Sequence, residues 1–447
     1  MRALAVAILL ALAADAAANG RPAATSTINF RLGNEQHIAA GMTFGLVVSH
    51  DGGTTWHWMC EDAIKYGGQY DPDYAYTESG ALFATTFDGS LVNRDGCSFD
   101  STVFGLKFIS SITRGPDNAV FMGMMHPPDP TVSDPGDSSI YKSTDEGATF
   151  PTKATPAPVG TWWSSIEVAP TDANRVYASG YQLVDATRQF AMYRSDDGGA
   201  SFAPISLDGL TTTRNSSIDI VGISHLNPDH VYVRISFQNE AAIGDAIFRS
   251  TNAGASWQKI FQRPAELSFV ARANGDLVVG SEDPELAVSR HPSNGDSWEA
   301  IDDPPHINCL VENSAGEVWA CTQNFGVPGI PSDGAGIMKT TDLTSWTTML
   351  RYQDIAGPVE CAPGTLQAER CVGESRATDQ WCVLRAQFGI DADPTSCASL
   401  VDGAVDAGPA IGEPPKGCCD NSASGAPAGL AISALVGMVL VRRRRRG

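Results

Sequence analysis

Positive charge is scarce in this chain. Its 447 residues hold 30 Lys and Arg against 51 Asp and Glu, a formal net charge of -21. Nucleic acid is bound through clustered Lys and Arg, so the balance argues against nucleic acid and against docking on anionic lipid. The acidity serves solubility, with cation binding at the surface as the alternative. Histidine is also sparse: there are 8, none in a His-x-x-x-His pair, and there is no Cys-x-x-Cys pair. No metal ligand set is therefore expected. A Ser-His-Asp nucleophile motif and a phosphate-cradling Gly loop are missing too, so the sequence calls for no cofactor. Helical periodicity is the last absence: no amphipathic helix is expected between residues 25 and 352.

The two ends of the chain carry export signals. Residues 1–18 have Arg2, an apolar run and Ala16-Ala17-Ala18, the layout of a cleaved secretory signal peptide. In an exported chain the 10 cysteines read as disulfides. Residues 353–400 hold Cys361, Cys371, Cys382 and Cys397, expected as a small disulfide-stapled stalk module whose three possible pairings stay open. Residues 401–424 are rich in Asp, Gly, Ala and Pro and read as a flexible linker. Residues 425–441 are apolar, just short of the usual spanning length of about 20 residues. Arg442 to Arg446 follow within the tail 442–447 and place it in the cytoplasm. A single-pass C-terminal membrane helix at the cell surface or outer membrane is the expectation.

Between these ends one stretch recurs. Ser49-His50-Asp51-Gly52-Gly53-Thr54-Thr55-Trp56 is repeated from Ser143 to Phe150, from Ser195 to Phe202 and, with Asn252 for the Asp, from Ser250 to Trp257. Asn93 to Phe99 is one residue short, and Ser289 to Trp298 and Thr340 to Trp346 are worn copies. The closing aromatics fall at 56, 99, 150, 202, 257, 298 and 346. Between copies lie short apolar runs ended by Asn, Asp, Gly or Pro, such as Ile218 to Ile223, then Asn227-Pro228-Asp229, then Val231 to Phe237. These are antiparallel strands. Four strands per unit and seven units predict an all-β, seven-bladed β-propeller over residues 25–352.

The motif belongs between the third and fourth strands of each blade. Its Asp can accept hydrogen bonds from the following backbone N–H groups, closing the turn, and its aromatic packs between sheets. Asp51, Asp95, Asp145, Asp197, Asn252 and Asp342 are therefore structural, not catalytic. The pattern resembles the Asp-box, or BNR, repeat of sialidases, sortilin-type receptors, photosystem II assembly factors and some seven-bladed glucan hydrolases. The resemblance implies the fold and leaves the activity open. Phe30-Arg31-Leu32-Gly33 resembles the Phe-Arg-Ile-Pro stretch of sialidases, with Gly33 for the Pro, but sialidases have six blades. Cys418-Cys419, the short apolar helix and the arginine cluster resemble the C-terminal sorting signal of myxobacterial surface proteins, which implies cleavage near these cysteines and transfer to the surface.

Two disulfides are expected in the propeller. Cys309 and Cys321 flank a hairpin centred near residue 315 and should face each other; Cys60 and Cys97 pair by exclusion. The motif turns and the turns between first and second strands share one face of a propeller. The opposite face, with its long loops, is the functional candidate. There Tyr70, Asp71, Asp73 and Tyr74 mix carboxylates with aromatics, Trp162 and Trp163 enter the fourth blade, and Arg214 and His306 enter the fifth and seventh. These are the expected ligand-binding residues, for a glycan or a protein at the cell surface. The chain is read as a monomeric, non-catalytic binding or structural module. Two alternatives are an extracellular carbohydrate-active hydrolase, with Asp71, Asp73, Asp129 and Asp134 as candidate carboxylates, and an assembly factor for a membrane complex.

Overall fold

The computed structural model describes residues 22–66, 71–87, 89–237, 243–283, 288–292, 297–372 and 379–390. The expected signal peptide and linker, the apolar segment 425–441, the arginine tail and residues 293–296 of the sixth motif copy lie outside the described residues.

Seven antiparallel sheets follow one another along the chain, each with its four propeller strands in sequence order. The blades run over residues 25–59, 74–101, 109–154, 162–205, 216–263, 267–300 and 307–350. Second strands such as Ile38–Met42, Val120–Met124 and Val318–Thr322 are buried along their whole length. Each is covered on both sides by neighbouring blades, so it reads as a continuous apolar run and not as an alternation. Among the described residues a single helical turn, Glu61–Ile64, follows the first blade, capped by Lys65 in the left-handed region; it is too short to form an amphipathic helix.

The recurrent motif forms one repeated turn. Ser49 Oγ donates to Asp51 Oδ1 at 2.8 Å and accepts from Gly53 N at 2.9 Å, while Asp51 Oδ1 accepts from Thr54 N and Thr55 N at 3.0 and 2.8 Å. Ser143 with Asp145, Ser195 with Asp197, Ser250 with Asn252 and Thr340 with Asp342 make the same bonds. In blade 2 Asn93 and Asp95 hold the shortened turn through Gly96, Cys97 and Ser98 N–H groups. Carboxylates that accept several N–H bonds favour their charged form, and Asp145 is accordingly depressed to about 2, chiefly by the Thr149 hydroxyl. Each turn sits beside the turn between the first and second strands of its own blade: Gly52 N donates to Gln36 O, Gly198 N to Asn174 O and Ala253 N to Asp229 O. These turns define the turn face; the long loops define the opposite loop face.

Among the described residues, the four propeller strands of every blade are consecutive in sequence, the first and last blades included. Trp319 of blade 7 packs edge-on against Phe30 of blade 1 at 5.3 Å, and Trp56 Nε1 donates to Met349 O at 2.9 Å. Beyond Leu350 the chain crosses from blade 7 onto the outer edge of blade 1. Gly357–Pro358 adds a fifth, parallel strand against His57 and Trp58. The expected stalk module is instead this strap. The helix Gln380–Phe388, capped by Asp379, places Phe388 against Phe44 at 5.0 Å and Tyr352 at 5.4 Å, with Trp381 against Trp58 at 5.5 Å.

The disulfides follow from that route. Cys309 and Cys321 are bonded across neighbouring strands, as the hairpin arithmetic predicts. The Cys60–Cys97 pairing is wrong: Cys60 is bonded to Cys371 and Cys97 to Cys361. Exclusion failed because it treated residues 353–400 as separate from the propeller, whereas both cysteines lie where the strap docks. Cys382 is also in a disulfide.

Candidate binding face

The eight residues expected to bind ligand do not converge on one site. Tyr70 lies outside the described residues. Asp71 and Asp73 are 5% and 8% exposed and serve the inner edge of blade 2, where Asp73 N donates to Thr85 Oγ1. Tyr74 is buried between blades 1 and 2, where a Cβ on Gly41 would lie 2.9 Å from its ring, and with Asp73 it borders the central channel, a cavity of about 300 Å³ that Arg114, Glu167, Glu35 and Glu312 also line. Two of these acids are held by blade contacts: Glu35 accepts from Ser314 N and Oγ, and Glu312 from Arg272. Trp163 is fully buried between blades 3 and 4. It fills the gap left by Gly123, where a Cβ would lie 2.8 Å from its ring, and its Nε1 donates to Ser138 O. Arg214 is exposed just before the fifth blade. His306 is a pin: its Nδ1 lies 2.8 Å from Asp333 Oδ1, and Asp333 also accepts from Gln323 N. The residues sit on successive inner strands, which fan out around the ring, so neighbours in repeat position are not neighbours in space.

The carboxylates expected of a hydrolase are bound up in the fold. Asp129 and Asp134 bridge each other's backbones in one tight loop of blade 3. Asp129 is depressed by the Thr131 hydroxyl and Asp134 by His126, whose Nε2 lies 2.8 Å from its Oδ2. Nearby Asp137, which desolvation alone would raise, is brought down to about 2 by Ser139, Tyr141 and Lys153.

Trp162 alone of the eight leads to a larger arrangement. A row of aromatic rings crosses the loop face from blade 2 to blade 4. Phe87 stacks on Phe108 at 5.8 Å, Phe108 meets Trp162 at 5.2 Å, Trp162 stacks on Tyr181 at 6.5 Å, and Tyr181 meets Phe190 at 6.3 Å. The Arg188 guanidinium lies 4.6 Å over the Tyr181 ring and donates to Ser216 O at 2.5 Å. Tyr181 and Phe190 face each other across a long hairpin of blade 4, whose tip, Asp185-Ala186, has positive φ at both residues. That is the hairpin turn that matches strand twist.

Above this row the surface is apolar. Among the described residues, eight of the eleven exposed large apolar side chains are on the loop face: Phe87, Val103 and Leu106 beside blade 2, Val132 and Val159 beside blade 3, Leu183 and Val184 at the blade 4 hairpin, and Ile243 on blade 5. The sequence reading missed Phe87, Phe108, Tyr181 and Phe190. The available signal was an aromatic at the loop-face end of strands in successive repeats, visible only once the repeats are aligned by strand and not by motif.

A scan against protein families matches none, and no curated protein matches the sequence. Solved structures do match in fold. An ancestral GH74 enzyme is 14% identical with a TM-score of 0.51, over 74% of this chain and 47% of that one. YCF48 bound to D1 peptide is 13% identical with a TM-score of 0.45, over 71% of this chain and 91% of that one. The extracellular domain of a B. thetaiotaomicron one component system is 13% identical with a TM-score of 0.47, over 68% and 38%. The chain thus spans about half the length of the GH74 enzyme, and the likeness is one of fold.

Proposed function

We propose that this chain is an exported, non-catalytic binding module of the Asp-box propeller type, held at the cell surface by its C-terminal segment, that docks a protein partner on the loop face of blades 2 to 4. The observation that carries the reading is the layering of that face. A glycan platform needs open ring faces. Here Trp162 and Tyr181 are 6% and 4% exposed and support the surface from below. What solvent meets are aliphatic chains, Leu106 at 79%, Val132 at 71% and Val103 at 64% among them. Exposed aliphatic chains gathered on one face favour a protein interaction site. The hydrolase alternative gains nothing from Asp129 and Asp134, which are tied into one loop.

The test is capture of surface proteins by the full chain, run beside a glycan array. Leu183→Asp with Val184→Asp, and separately Leu106→Asp, should weaken capture about tenfold or more with unfolding temperature unchanged. Glycan binding that survives both variants, with no protein captured, would overturn the reading.

A further inference from the structure

A second cavity is on the other side of the molecule, in the turn face between blades 1 and 2. It has a volume of about 510 Å³, within the range of small-molecule sites. Its origin is the turn of blade 2. At the regular turns a Cβ on the second glycine would strike the preceding blade. Gly147 lies 2.5 Å from Phe83, Gly199 2.6 Å from Phe121 and Gly254 2.4 Å from Ile205. At Gly96 the same Cβ would meet nothing within 4 Å. The turn of blade 7, Thr340 to Trp346, is equally short but buries Leu343 against blade 6; at Gly96 no side chain fills the place, which leaves a wedge, and the strap closes its outer side through Val359 and Glu360, fixed by Cys97–Cys361.

The lining has two parts. Leu46, Val48, Met59 and Leu82 make an apolar floor, with the Tyr76 ring beside them; Asp51, Asp95 and Glu360 stand at the rim, with His50, His57, Thr55 and Asn93 also in the lining and no Lys or Arg among the lining residues. Backbone N–H groups of Thr55 and, against desolvation, of Cys97 hold Asp51 and Asp95 below the usual carboxylate range. Their Oδ1 atoms are spent on the turns, which leaves the rim as a diffuse negative field and not as a metal cage.

We propose that this wedge binds an organic cation with an apolar body, an alkylammonium of the length of a lysine side chain, with the chain on the Leu46–Met59 floor and the ammonium at the Asp51–Asp95–Glu360 rim. The apolar stem gains from leaving water and the head stays at the wet mouth, as amphipathic side chains do. The source is either a free amine or a lysine presented by another protein.

Met59 forms part of the floor, so its methyl group reports occupancy. The full chain with isotope-labelled methionine methyls, assigned with Met59→Leu, is titrated with pentylammonium, pentanol and pentanoate, three probes of one shape and different charge. The Met59 signal should move saturably with pentylammonium and at least about tenfold more weakly with the other two. Glu360→Gln should weaken pentylammonium several-fold, and Val48→Phe, which fills the floor, should abolish the shift. The peptide Gly-Lys-Gly separates the sources: a shift as strong as that of pentylammonium assigns the site to a protein lysine, and none assigns it to a free amine. Equal response to pentanol, or no response to pentylammonium in the wild-type chain, overturns the proposal.

Discussion

The junctions between blades 2 and 3 and between blades 1 and 2 are built from the same turn, one residue apart in length. At the first, Gly147 presses on Phe83, and Glu146 gathers bonds from Ser79 and Arg94 across the junction and from Asn118 of its own blade. At the second, Gly96 faces open space and a cavity stands where packing should be. The second junction is held covalently, by a strap from the far end of the ring. Where the turn brings no side chain into the junction, as at Gly96, a disulfide holds the blades instead.

The largest expected effect comes from cutting the strap. Cys60–Cys371 closes a loop with a sequence separation of 311, and Cys309–Cys321 one of 12. With Cys97–Cys361 intact, the loop that Cys60–Cys371 closes is about 47 residues (37 from 60 to 97 and 10 from 361 to 371), so on chain-entropy grounds it is worth about 4 kcal/mol and the short bond about 3. Denaturant unfolding of Cys60→Ala with Cys371→Ala should show the larger loss, with the first two blades unfolding ahead of the rest. Equal losses from the two pairs would mean that the strap does not close the ring.

Next comes a direct exchange between the two turns. Gly147 has φ +78° and Gly96 φ +80°, so alanine at either meets the same left-handed strain of about 1 to 2 kcal/mol. Only Gly147→Ala also drives a methyl into Phe83, adding about 1 to 3 kcal/mol. The difference between the two variants, measured in one denaturant series, isolates the packing that blade 2 lacks.

Much of this architecture was legible in the sequence. Seven closing aromatics at blade spacing gave seven blades, and the hairpin around residue 315 gave Cys309–Cys321. The strap was not legible, because pairing Gly357–Pro358 with His57 and Trp58 joins residues some 300 apart, and two residues of strand carry no pattern. The long loops of the loop face were legible, but the aromatic row beneath its surface was not. Carboxylates and paired tryptophans looked functional at Asp71, Asp73 and Trp163, and they are buried. The rings that do form a row are single aromatics at strand ends, and they matter only through their neighbours in adjacent blades. Turning attention from the turn face also hid its cavity, since the missing residue at Gly96 reads as wear until its packing is seen.

Acid should loosen the regular turns before it touches the strap. Asp145 and Asp137 sit near 2 in the folded chain, against about 4 when unfolded. Their contribution is therefore present above pH 4 and is lost as pH falls from 4 towards 2. Asn252 fills the same place without a charge. Asp145→Asn should flatten the stability profile in that window and leave the neutral plateau nearly unchanged, as read from chemical unfolding at stepped pH.

The smallest effect should come from a third kind of junction. Between blades 3 and 4 a serine joins the inner strands, with Ser110 Oγ donating to Trp163 O at 3.0 Å and accepting from its N–H at 3.1 Å. Between blades 5 and 6 charges do this work: Arg234 donates to Leu267 O at 2.7 Å, and Asp245 accepts from Leu267 N at 3.1 Å. Desolvation lifts Asp245 to about 6 although Arg234 opposes it. The sign is opposite to that of the turn aspartates. Between pH 4 and 6 the folded chain keeps a proton that the unfolded chain has released, so stability falls as pH rises, by at most about 1.4 kcal/mol per pH unit for one proton. Asp245→Asn should remove that slope and leave the loss below pH 4 intact. If the slope between pH 4 and 6 survives in the variant, the buried charge at the blade 5–6 junction is not its source, and the serine and charged junctions are equivalent in their response to acid.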